Sequence, residues 1–101
     1  MANQPKTQSK MAIQADPQAA VGVYSNLMMI SHRREEFVLD FLFVQPTRGP
    51  QATAVASLRS RVVTTPEHLK RIVRALEDNI RRYESAHGPI QESTDLPHIV
   101  H

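Results

Sequence analysis

Residues 36–44, Glu36-Phe37-Val38-Leu39-Asp40-Phe41-Leu42-Phe43-Val44, contain the most apolar run of the chain. Aromatic and β-branched side chains in a run this short mark a β-strand rather than a helix. A period of two puts Phe37, Leu39, Phe41 and Phe43 on one face and Val38, Leu42 and Val44 on the other, where Asp40 interrupts them. Both faces are apolar, and one amphipathic helix covers only one of them. Leaving three aliphatic side chains in water forgoes about 1.5 to 3 kcal/mol each, a large share of a small domain's stability. The nearest cover in a short chain is a second copy of itself. We therefore expect a homodimer or higher oligomer, with Val38, Asp40, Leu42 and Val44 at the contact.

Working outward, residues 21–31 (VGVYSNLMMIS) read as a strand, and the polar connector Arg33-Arg34-Glu35 joins it to residues 36–44 as an antiparallel hairpin. Two prolines and a glycine make residues 45–51 (QPTRGPQ) a loop. Residues 53–63 (TAVASLRSRVV) alternate as a third strand, with Leu58 and Val62 on one face and Arg59 and Arg61 on the other. One of these arginines is expected to pair with Asp40, a contact that acts more on register than on net stability.

A helix over residues 65–87 follows. Thr64 lies at capping-box distance from Glu67, and Pro66 sits in the first turn, where its missing N–H is harmless. Leu69, Ile72, Val73, Leu76, Ile80 and Tyr83 recur at intervals of three and four and form one apolar stripe, which we expect to face the sheet. Gly88-Pro89 ends the helix. The expected fold is α+β: a three-stranded antiparallel sheet followed by one long amphipathic helix packed on one face. Residues 21–90 form the domain. Residues 1–20, poor in large apolar groups, are expected to be a disordered tail, and residues 91–101 a loose one.

The 101 residues fit one small domain, and a net charge of +2 implies no strong pull toward nucleic acid or acidic lipid. With no cysteine, disulfides, thiolate metal sites and cysteine nucleophiles are excluded. No run approaches the roughly twenty apolar residues of a membrane span, and the N-terminus lacks a signal-peptide core, so a cytoplasmic protein is expected. His98 and His101 stand three apart near the C-terminus, with His87 upstream, but a tight zinc site needs three or four ligands on ordered structure; no metal and no cofactor are expected. Ser31, Ser57 and Ser60 lie in strand patterns without a nucleophile-elbow motif. The adjacent carboxylates Glu35-Glu36 and Glu77-Asp78 point in different directions. We expect no enzymatic activity.

Lys70, Arg74 and Arg81 share one flank of the helix, and Arg33, Arg34 and Arg48 extend a surface that nucleic acid would contact. Against this, Glu67 to Arg71, Glu77 to Arg81 and Asp78 to Arg82 are helix ion pairs of favourable orientation, and no aromatic residues interleave with the bases.

Val23-Tyr24-Ser25-Asn26, Glu36 to Phe41, Arg61-Val62-Val63, Pro66 to Arg71, Leu76, Asn79-Ile80, Tyr83-Glu84 and Gly88-Pro89-Ile90 together resemble a family of bacterial proteins known only as a domain of unknown function. The resemblance spans about residues 23–90, implies a fold type, and transfers no catalytic residue. The topology is also similar to that of SecB-type secretion chaperones, which would make Met28 and Met29 part of an apolar groove. The leading expectation is a non-catalytic, homo-oligomeric binding or adaptor protein with an unknown protein partner. The rivals are a nucleic-acid-associated protein and a chaperone-like holder of extended polypeptides.

Overall fold

The computed structural model describes residues 10–45 and 54–92. The elements run α1 (Pro17–Val21), β1 (Leu27–His32), β2 (Phe37–Val44), β3 (Ala56–Thr64) and α2 (Pro66–His87). The strands form one antiparallel sheet in the order β1-β2-β3, so the apolar strand is central. The chain is thus α+β, with the hairpin and third strand expected from the sequence.

The N-terminal part differs from expectation. Residues 17–21 form a short exposed helix, and the first strand begins at Leu27 rather than Val21. Asp16 caps this helix by accepting from the Gln18 N–H at 2.9 Å, Pro17 occupies the first turn, and Gly22 ends it at φ +82°. These are the start and stop signals that also bound α2, compressed into five residues, where an apolar period has no room to show.

A bulge changes the third strand. Asp40 pairs with Arg61 and Phe41 with Ser60, but Leu42 pairs with Leu58, leaving Arg59 as an extra residue. Cross-strand partners point to the same face. Leu58 therefore shares the face of Asp40 and Arg61, opposite Val62, rather than joining Val62 as strict alternation implies.

The largest correction concerns the long helix. Its cap is Thr65, whose Oγ1 accepts from the His68 N–H at 3.1 Å, while Thr64 ends β3 and pairs with Phe37. One residue, extended at φ −76° and ψ 155°, thus joins strand to helix. A connection this short gives the chain no turn in which to double back, so α2 leaves the end of the sheet instead of lying on it. Its stripe stays open: Val73, Leu76, Ile80 and Tyr83 are 46 to 58% exposed, and no helix residue is buried. Among the described residues Leu39 alone is a buried hydrophobic side chain, at 8% exposure.

Candidate functional site

The sheet presents two apolar faces. On the first, Val38, Leu42 and Val44 of β2 stand with Leu27 and Met29 of β1 and with Leu58 and Val63 of β3, as the register dictates. Most of these are only half-buried, and no element of the described chain lies over them. Asp40 sits in their midst. Arg61 donates to it twice, Nε to Oδ1 at 2.6 Å and Nη2 to Oδ2 at 3.0 Å, a two-pronged pairing that fixes both side chains. The sequence leaves Arg59 and Arg61 as alternatives; the bulge takes Arg59 out of register and leaves Arg61 opposite Asp40.

Asp40 is 20% exposed and Arg61 57% exposed, so the pair lies at the surface of the single chain. The Arg61 hydrogen bonds hold the Asp40 carboxyl below its ordinary pKa; partial desolvation opposes them and the Arg61 charge reinforces them. Arg61 is correspondingly raised, chiefly by the same hydrogen bonds. A carboxyl with a depressed folded pKa stabilises the fold fully above its unfolded value, near about 3.9, and that contribution is lost as pH falls through the lower folded value. The urea midpoint of wild type is expected to exceed that of Asp40→Asn at pH 6, with the gap closing below about pH 4. A gap that stayed constant from pH 6 down to 2.5 would show that the ion pair does not titrate as described.

On the second face, Phe37, Leu39, Phe41 and Phe43 meet Ile30 and Met28 of β1 and Val62, Ser60 and Ser57 of β3. Met28 thus stands on this face and Met29 on the other. Tyr24 reaches Phe43 edge to face, with ring centroids 5.8 Å apart. One end of the hairpin is held by side chains that stand in for backbone: the Asn26 amide donates to the Val44 carbonyl at 3.0 Å and accepts from the Val44 N–H at 2.8 Å. Ser25 Oγ donates to the Leu42 carbonyl at 2.9 Å. Asn26 so prolongs the ladder by one rung beyond Leu27. Composition and period do not reveal this role; the only signal in the sequence is an amide side chain just before a strand.

The C-terminal end of α2 is similarly tied. Gly88 at φ +91° turns the chain, its N–H reaches the Glu84 carbonyl at 2.9 Å, and the Ile90 N–H reaches Glu84 Oε2 at 2.9 Å. Ile90 then lines an open groove together with Leu76, Ile80 and Tyr83 and lengthens the apolar stripe.

The basic residues are spread out. Arg33 and Arg34 occupy the exposed β1–β2 connection, at the sheet end from which α2 departs. Lys70, Arg74 and Arg81 follow along the helix, and at 1.5 Å per residue Lys70 and Arg81 stand about 16 Å apart. Arg81 is engaged with Asp78, and Arg71 with Glu67 at 3.4 Å, both within the helix. Arg48, His98 and His101 lie outside the described residues. Among the described residues no three His, Cys, Asp or Glu side chains gather as a metal-binding group, and no helix is long and apolar enough to cross a membrane.

A family described as a protein of unknown function, DUF3467, matches residues 1–92. The chain belongs to this family. The match reaches the N-terminal residues that the resemblance over residues 23–90 leaves out, so the family pattern takes in the capped segment Asp16 to Gly22 as well as the sheet and helix. No curated protein and no solved structure matches the chain.

Proposed function

We propose that the chain is a non-catalytic binding or adaptor protein of the cytoplasm that works as a homo-oligomer, with Val38, Asp40, Leu42 and Val44 in the contact between copies. One observation carries the reading: among the described residues a single hydrophobic side chain, Leu39, is buried, while two sheet faces and a helix stripe are open. A net stability of 5 to 15 kcal/mol is the usual range for a domain, and each large apolar side chain left in water forgoes about 1.5 to 3 kcal/mol. A chain with one buried side chain reaches that range by covering its surfaces with another polypeptide. A second copy is always present at equal concentration, and the first sheet face suits a two-fold contact because Asp40 and Arg61 are already neutralised within each chain.

Sedimentation of the full chain over a concentration series tests this. The expected mass is a multiple of 11.4 kDa that persists into the low micromolar range. A folded species of one chain mass at a concentration near 100 µM, with a cooperative unfolding transition, overturns the reading.

A further inference from the structure

We propose that α2 pairs with the α2 of a second copy, side by side and in opposite directions. The inference rests on self-association and names a surface for it that is separate from the sheet. Along α2 the half-buried Leu69 and the exposed Val73, Leu76, Ile80 and Tyr83 are spaced four, three, four and three residues apart. This is the heptad spacing of a helix that meets another helix, with β-branched Val73 and Ile80 alternating with Leu69 and Leu76. The sheet does not use this seam, because the one-residue connection sends α2 away from it.

Charge sets the direction. One flank of the seam carries Lys70, Glu77 and Glu84, and the other carries Ile72, Asn79 and Ala86. In a parallel pair unlike flanks meet, and the acidic Glu77 and Glu84 face Ile72 and Asn79 without a countercharge. In an antiparallel pair like flanks meet. Placing Leu76 beside the partner's Ile80 sets Val73 against the partner's Tyr83 and brings Lys70 to the partner's Glu84, twice by symmetry. Glu84 is anchored at this end of the helix, where its Oε2 accepts from the Ile90 N–H. Glu77 meets the partner's copy of itself at the two-fold axis, a like-charge contact set against the two Lys70–Glu84 contacts, with Arg74 and Arg81 one turn away on its own helix. If the sheet contact also forms, two different two-fold interfaces per chain close into a tetramer when their axes cross at right angles and extend into an open polymer when they do not.

The chain has no cysteine, so engineered ones report cleanly. Val73 and Tyr83 lie ten residues apart on one helix, about 15 Å, too far to bridge within a chain or between like positions of an antiparallel pair. Mild oxidation of full-length protein is expected to cross-link the double variant Val73→Cys with Tyr83→Cys into covalent dimers and to leave each single variant uncrosslinked. Cross-linking of Val73→Cys alone indicates a parallel pair and overturns the proposal. An uncrosslinked double variant that still sediments as a multimer overturns it while sparing self-association, whereas a mass of one chain for wild type removes both. A second series guards against a misfolded cysteine variant. Lys70→Glu and Glu84→Lys are each expected to weaken association roughly fivefold, and their combination to restore it; single variants without effect, or a combination without rescue, count against the pairing.

Discussion

Replacing Leu39 with Ala is expected to lower the unfolding free energy by about 2 to 5 kcal/mol, the range for truncating a large aliphatic side chain that its surroundings cannot collapse upon. Leu39 sits in the middle of the central strand, opposite Ile30 on one side and Val62 on the other, and is 8% exposed. Neighbours on both sides are tied into ladders and cannot close the gap by moving alone. Urea unfolding of both proteins at matched chain concentration measures the difference, because a self-associating protein gains stability from its own concentration. A loss below about 0.5 kcal/mol, the usual scatter for surface positions, would mean that Leu39 is not the centre of packing that its burial indicates.

A carboxylate at Leu42 is expected to act on assembly instead. Leu42 stands two residues from Asp40 on the same face, in the middle of the proposed contact between copies, and pairs with Leu27 and Leu58. Leu42→Asp adds a second negative charge to a face whose single arginine partner is already engaged in both of its hydrogen bonds to Asp40. Burying such an unpaired charge costs about 3 kcal/mol or more, on the order of a hundredfold in the dissociation constant. In the isolated chain the site is open enough for water to solvate the new carboxylate, so the fold itself suffers less than the assembly. Sedimentation over a concentration series separates the two. An unchanged association constant for a folded Leu42→Asp protein would remove this sheet face from the contact, leaving the helix seam as the remaining candidate.

The two substitutions divide the molecule into what one chain completes and what it leaves open, and the sequence speaks unequally about each. The double-sided apolar strand is legible because period two acts residue by residue: side chains 37 to 44 alternate whatever else the chain does. The hairpin, the helix and its glycine stop are legible for the same reason, since caps and turn residues act within four or five positions. The five-residue α1 obeys the same rules, yet is hidden because it has no apolar face to bury.

The Asp40–Arg61 contact is half legible. Opposite charges on neighbouring strands announce a pair, but whether Arg59 or Arg61 supplies it depends on a bulge that the alternation of β3 does not reveal. Asn26 is less legible still, because its function is to meet Val44, eighteen residues away, and no local pattern encodes that distance.

By itself the sequence determined the three strands, the long helix and the apolar faces of β2 and α2, because propensity, capping and side-chain period are short-range properties of consecutive residues. Only the tertiary structure decided where those faces go. A single extended residue between Thr64 and Pro66 carries α2 off the sheet, so a stripe that looks made for the chain's own strands is left to another surface. The direction in which a helix departs is set by the φ and ψ of its connection, and those angles leave no trace in the periodicity on either side.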